Sequence, residues 1–135
     1  MLPHTADVGF RAWGTDLADL FETAARAMFS LEYDVDTVPQ DEAPSVAVQG
    51  DDPEGALYAW LSELIWLHDA EGFALSDIWV DPIGGDLVVR GVAIGARIGD
   101  WFQQAGPQLK AVTMHGLKVI HRAGDGYEAT VYLDV

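Results

Sequence analysis

The chain has 135 residues, about the size of one ordinary domain, and half of them are apolar. This apolar content is enough for a packed core and excludes an intrinsically disordered chain. Twenty-two acidic residues against seven basic ones leave a net charge of −15, which argues against independent binding to a nucleic-acid backbone. Without a membrane-spanning apolar run, a secretory signal or any cysteine, we expect a soluble cytoplasmic protein that has no disulfides.

Two periodic patterns alternate along the first half of the chain. Residues 7–13 alternate between apolar and polar and predict a strand, and Thr15 is the expected N-cap of the following helix. From Leu17 to Leu31 the apolar residues recur at the spacing of one helix face. Residues 34–44 read as a loop and residues 45–49 as a short strand. A second helix is expected to open at Asp52-Pro53 and to end at Glu71-Gly72.

The second half of the chain is rich in predicted strands. Residues 73–80 and 87–94 flank a Gly-rich turn and predict a hairpin, which an irregular loop at 98–107 follows. Residues 109–113, 117–121 and 127–135 predict three further strands. The expected order is therefore β-α-β-α-β-β-β-β-β, an α+β fold in which two helices pack on an antiparallel or mixed β-sheet.

Motifs for nucleophilic or phosphate chemistry are missing from the sequence. There is no Gly-x-Ser-x-Gly elbow, no cysteine and no phosphate-binding loop ending in Lys-Ser/Thr. The four histidines lack the spacing of a zinc site, so each is interpreted as structural: His4, His68, His115 and His121. His68 falls near the end of the second helix, where a cation suits the helix dipole.

Two carboxylates stand out by position. Asp7 lies in a short apolar strand, where an acid needs a salt bridge to Arg11, a capping role where the chain enters the strand, or a bound cation. Asp134 is the penultimate residue, and Val135 adds a main-chain carboxylate if this is the native terminus. Hard cations prefer several such oxygens together. A shared site requires the first and last strands to be neighbours, which the spacing alone does not determine.

Several blocks in order resemble the archease family over essentially the whole chain. They are residues 2–8, the helix opening at 17–22, the second-helix segment 57–64 with 69–73, the stretch 109–115, and the Leu133-Asp134-Val135 ending. One departure is Met114, which stands where the family usually has an aromatic residue before His115.

The resemblance implies one archease-like domain over residues 1–135 that serves as an accessory protein and not as a catalyst. Archeases assist the GTP-dependent RNA ligase of the RtcB type in tRNA splicing and RNA repair, by promoting ligase guanylylation and turnover. The resemblance further implies a divalent cation, calcium or alternatively magnesium or manganese, with ligands at Asp7, Asp134 and Val135. From the acidic charge and the lack of a membrane-spanning run, we expect neither direct nucleic-acid binding nor a membrane partner.

Two other classes of function remain open from the sequence. A metal-dependent hydrolase would use the same acids and needs a general base near Asp7, which the sequence does not identify. A chaperone-like or protein-binding module would use the Trp101-Phe102 loop. The competing interpretation of that loop is that both rings close one end of the core.

Overall fold

The computed structural model describes residues 7–135. Its helices and strands are β1 (Asp7–Gly14), α1 (Leu17–Ser30), β2 (Ser45–Gln49), α2 (Pro53–Ala70), β3 (Phe73–Val80), β4 (Val88–Arg97), β5 (Ala111–Arg122) and β6 (Gly126–Asp134). A single 3-10 turn, Val35–Thr37, lies in the loop that follows α1. The α+β fold and both predicted helices are confirmed.

The prediction of five strands after α2 is wrong, because the described residues contain four there. Residues 111–113 and 117–121 do not form separate strands but belong to β5, which begins after residues 109–110 and shifts register between Thr113 and Lys118. The extra residues form a bulge in which Gly116 adopts a positive φ of 78°. A glycine between two apolar runs has the same sequence signature in a bulge as in a turn, which explains the error.

The six strands form two antiparallel three-stranded sheets, in the orders β1-β6-β5 and β2-β4-β3. Each helix packs on both sheets: α1 contacts β1 and β6 on one side and β3 on the other, and α2 contacts β5 on one side and β2 on the other. The helices therefore form a layer between the two sheets. One face of each sheet packs on this layer, and the opposite face is directed to solvent.

The helix caps explain where both helices begin. The predicted cap Thr15 is wrong by one residue, because the Asp16 carboxylate accepts the Asp19 N–H at 2.8 Å. Asp19 in turn accepts the Thr15 N–H at 2.8 Å, so the two carboxylates together satisfy two backbone donors where the helix begins. The Asp52 cap of α2 is confirmed by its 2.6 Å hydrogen bond from the Gly55 N–H.

The hydrophobic core fills the space between the two sheets and includes residues from both helices and all six strands. The second helix presents one broad apolar face to the core, with these buried side chains on it: Leu57, Trp60, Leu61, Leu64 and Ile65. Within residues 7–135, neither helix has the length and apolarity that a bilayer crossing requires.

Candidate functional site

The two carboxylates that the sequence analysis selected lie directly opposite each other. Strands β1 and β6 are antiparallel neighbours, and their register makes Asp7 and Asp134 cross-strand partners. Such partners project from the same face of a sheet with their Cβ atoms about 5 Å apart. Asp7 is exposed and Asp134 is half-buried. The neighbouring strands that a shared site requires are therefore present.

The alternative ion pair between Asp7 and Arg11 is not formed. Arg11 lies four residues further along β1, about 13 Å away at the rise of an extended strand. The ion pairs among the described residues include neither Asp7 nor Asp134. Two carboxylates directly opposite each other repel, so this pair destabilises the sheet unless a cation or a basic partner neutralises it.

A cleft of about 470 Å³ opens above the two acids. It is lined by residues of all three strands of the sheet: Asp7, Gly9, Thr113, His115, Gly116, Tyr132 and Asp134. Of these, only the two acids were selected from the sequence as site residues. The others come from the β5 bulge and from the strand positions next to the acids.

The ring of Tyr132 lies in a slot between two glycines. A Cβ added to Gly9 would lie 2.7 Å from one edge of the ring, and a Cβ added to Gly116 would lie 2.8 Å from the other edge. Real side chains do not approach this closely, so the ring position depends on the absence of side chains at both glycines. Tyr132 also lines a second hollow of about 360 Å³ beside Arg11 and Thr130. The ring therefore divides an acidic cleft from a basic one.

His115 lies on the β5 bulge, between the two segments that the sequence predicted as separate strands. The bulge exposes it and brings it to the cleft that contains the two acids. The backbone N–H of His115 donates a hydrogen bond to the Thr113 hydroxyl at 3.0 Å, which stabilises the bulge. The sequence pointed to His115 only through the 109–115 segment that resembles the archease family. Its position beside the two acids depends on the bulge, which the sequence did not predict.

The cleft offers a hard divalent cation donors of the right type, with two acidic side chains. Asp7 and Asp134 offer the carboxylate oxygens that calcium and magnesium prefer. Calcium takes about six to eight oxygens, and residues 7–135 contain no group of three or more His, Cys, Asp or Glu residues placed to hold a metal ion. The side chain of Val135 packs on the core, and the predicted role of its carboxylate stays a prediction. His4 and the rest of the segment 1–6 lie outside the described residues.

His68 is structural, and it has a partner that the sequence analysis did not select. Both His68 and Glu32 are buried, and the His68 Nε2 atom lies 2.7 Å from a Glu32 carboxylate oxygen. The His68 Nδ1 atom lies 2.9 Å from the Phe73 carbonyl oxygen, which can only accept. Glu32 also accepts the Leu109 N–H at 3.0 Å. The His68 and Glu32 side chains therefore share a proton. Together they link the end of α1, helix α2 and the loop 98–110 between β4 and β5.

The environment shifts both pKa values in directions that favour the charged pair. Burial by itself raises the pKa of Glu32, but the hydrogen bonds from His68 and Leu109 lower it below the ordinary value of 4.5. Burial by itself lowers the pKa of His68, but the hydrogen bond and charge of Glu32 raise it above the ordinary value of 6.5. The pair is therefore an ionic link in the core.

The Trp101-Phe102 loop closes one end of the core with one of its two rings. Phe102 packs edge-on against Tyr33, with 5.2 Å between ring centroids, and also lies beside His68. Trp101 covers Phe102 from outside and keeps 37% of its surface exposed. The interpretation that both rings close the core thus holds for Phe102, while Trp101 is a partly exposed cover.

Comparison with known proteins establishes the family. The sequence profile of the Archease protein family matches residues 1–135, the whole chain. The chain belongs to the archease family. Among relatives named protein archease, one from Archaeoglobus fulgidus is 36% identical over 135 residues, covering 99% of this chain and 96% of the relative. Another, from Pyrococcus furiosus, is 34% identical over 125 residues, covering 91% of this chain and 87% of the relative.

A solved structure shares the archease fold of this chain. The solution structure of Methanobacterium thermoautotrophicum Protein 1598 matches it with a TM-score of 0.79 and 32% identity, covering 99% of this chain and 96% of that chain. The family resemblance noted from the sequence blocks is therefore confirmed over the full length.

Proposed function

We propose that this archease is an accessory protein that activates a GTP-dependent RNA ligase of the RtcB type. It would promote guanylylation of the ligase and its repeated turnover in tRNA splicing and RNA repair, without reacting itself. The observation that carries the proposal is that Asp7 and Asp134, in a chain of this family, face each other in one cleft. The family membership supports the accessory role, and the carboxylate pair supports a cation at its centre.

Asp7 and Asp134 would hold a divalent cation, with the Val135 carboxylate as a third ligand. Calcium is the proposed ion, with magnesium and manganese as alternatives. When bound, such an ion supplies positive charge that aligns phosphate oxygens. The protein's own contribution is to keep two carboxylates at a defined separation on adjacent strands, at the edge of a sheet where a ligase active site can reach them.

Multiple-turnover RNA ligation by the ligase from the same organism tests the accessory role. Wild-type protein should increase the number of turnovers, and Asp7→Ala and Asp134→Ala should each lower the stimulation by about ten-fold or more, because a single carboxylate cannot hold the ion. Asp41→Ala is the matched control, since Asp41 is an exposed acid whose backbone N–H bonds to Gly95 on β4, in the other sheet. Full stimulation by either cleft variant would remove the carboxylates from the mechanism.

Calorimetric titration with CaCl₂, MgCl₂ or MnCl₂ tests the cation independently of any ligase. One ion should bind the wild-type protein, and the heat of binding should disappear in Asp7→Ala but persist in Asp41→Ala. Equal binding to all three proteins would place the ion elsewhere on the acidic surface.

The metal-dependent hydrolase remains a second candidate because His115 lines the same cleft as the two acids. A histidine within reach of a cation site is the general base that this alternative needs. It predicts that the isolated protein turns over phosphodiester or phosphomonoester substrates and that His115→Ala abolishes this turnover. The accessory role instead predicts no turnover without the ligase.

A further inference from the structure

The solvent-directed face of the β1-β6-β5 sheet, called here the outer face, changes in character along the strands. It consists of rows of cross-strand partners that run from an acidic end to an apolar end: Asp7 with Asp134, Gly9 with Tyr132, Arg11 with Thr130 and Lys118, and Trp13 with Glu128 and Ile120. At the strand rise, the basic row lies about 13 Å from the acidic row. The candidate cation cleft is thus one end of a larger surface.

The basic row is unusual in so acidic a chain. Arg11 and Lys118 flank Thr130 from opposite sides, and both are exposed. Neither takes part in the ion pairs found within residues 7–135, whereas Arg26 and Arg97 do. The whole chain has seven basic residues against 22 acidic ones. The Arg11 and Lys118 side chains, which have no acidic partner among the described residues, therefore make this row positively charged on a negatively charged protein.

The apolar row beyond it exposes large side chains in fixed positions. Trp13 is 56% exposed and Ile120 is 42% exposed, on either side of Glu128. Glu128 accepts the indole N–H of Trp13 at 2.9 Å and pairs with Arg122 at 3.6 Å, which holds the indole against the sheet. Exposed tryptophan beside arginine is typical of the centres of protein–protein interfaces, where these residues contribute most of the affinity.

We propose that the outer face is the surface on which a partner protein docks. The partner would present carboxylates to Arg11 and Lys118 and an apolar surface to Trp13 and Ile120. This inference rests on the proposed function and identifies the partner as the ligase. A protein surface fits better than RNA, because the net charge of −15 and the nearby acidic row both repel a phosphate backbone. A partner docked here would also reach the Asp7–Asp134 cleft at the edge of the interface.

Binding of the full-length protein to the purified ligase, measured by biolayer interferometry, tests this surface. The double variant Arg11→Glu/Lys118→Glu should raise the dissociation constant at least ten-fold, and Trp13→Ser should do the same. The other sheet supplies matched controls, because Trp79 is 59% exposed on its solvent-directed face and bonds to Asp81 at 3.0 Å as Trp13 bonds to Glu128. Trp79→Ser and Arg90→Glu should bind the ligase as the wild type does. Circular dichroism verifies that every variant is folded.

The outcomes separate this inference from the proposed function. If wild-type protein binds and stimulates the ligase but the outer-face variants do so equally well, the docking surface is wrong and the accessory role stands. If wild-type protein neither binds nor stimulates the ligase, both are wrong. A fluorescent single-stranded RNA serves as a second probe. If wild-type protein binds that RNA and Arg11→Glu/Lys118→Glu abolishes the binding, RNA and not protein occupies the face.

Discussion

At the scale of single residues, the Glu32–His68 pair shows how a buried charge contributes to the structure of this protein. Glu32 follows α1, and its backbone carbonyl accepts the N–H groups of Ala105 and Gly106 while its carboxylate accepts that of Leu109. The same carboxylate contacts His68 on α2. One acidic residue therefore positions the 98–110 loop against both helices.

Glu32→Ala should lower the free energy of unfolding by roughly 3–5 kcal/mol, because it leaves a buried imidazole and a buried N–H without their acceptor. Urea denaturation followed by tryptophan fluorescence measures the change. Glu42→Ala is the control, since the Glu42 side chain forms an exposed pair with Arg97 at 3.6 Å and its removal should change stability by less than about 1 kcal/mol. Equal losses in the two variants would contradict the ionic link.

The same pair predicts a pH dependence of stability. Because the pKa of His68 is raised, its contribution is complete below its ordinary value of 6.5 and is lost as the pH rises through the folded-state value. Because the pKa of Glu32 is lowered, its contribution is complete above its ordinary value of 4.5 and is lost as the pH falls through the folded-state value. The difference in unfolding free energy between wild type and Glu32→Ala should therefore be largest between these two pH values. A difference that stays constant up to about pH 9 would contradict this assignment.

At the scale of elements, the β5 bulge creates the candidate site. The register shift between Thr113 and Lys118 turns a regular strand into one that brings His115 and Gly116 to the cleft. Gly116 adopts a positive φ of 78°, and any side chain there would also contact the Tyr132 ring. The bulge thus determines both the path of β5 and the position of the ring that divides the two hollows.

Gly116→Ala should displace the Tyr132 ring and lower ligase stimulation, besides costing about 1 kcal/mol of stability for the strained backbone. Gly124→Ala is the matched control, because Gly124 has a φ of 82° but no atom within 4 Å of an added Cβ. It should lose the same stability and keep full stimulation. Urea denaturation, Tyr132 ring signals in NMR spectra and the ligation assay measure the three effects. If the Tyr132 ring does not move in Gly116→Ala, its position does not depend on the absence of a side chain at residue 116.

At the scale of the whole molecule, the net charge of −15 opposes the compact state. Raising NaCl from about 20 mM to about 300 mM should increase the free energy of unfolding by an amount on the order of 1 kcal/mol, because salt screens repulsion between surface acids. Arg90→Glu should make this salt dependence steeper, since it adds two units of negative charge at an exposed position. A stability that falls with salt in wild-type protein would indicate that attractive pairs dominate its surface.

Much of the fold could be predicted because local signals are strong where helices begin and strands alternate. The Asp52-Pro53 opening of α2 and the exact span of β2 were read from capping and alternation. The alternating pattern of β1 also identified which side chains lie on its buried face. The division into two sheets could not be read this way, because strand pairing depends on which elements meet across the helix layer.

The two acids of the candidate site were predictable from the sequence, but the rest of the cleft was not. Asp7 stands out in the sequence because a carboxylate in an apolar strand needs a partner, and the family resemblance implies that Asp7 and Asp134 bind one cation. That β1 and β6 are neighbours, and that Tyr132 and His115 share their cleft, follows from register and from the bulge.

The sequence by itself determined the α+β class, the two helices, the family and the two acids, because these depend on periodicity, caps and residue type. Only the tertiary structure decided that the two acids face each other and that Glu32 and His68 meet in the core. Each of these contacts joins residues distant in the chain, and side-chain distances of that kind are set by packing and strand register, which local pattern does not encode.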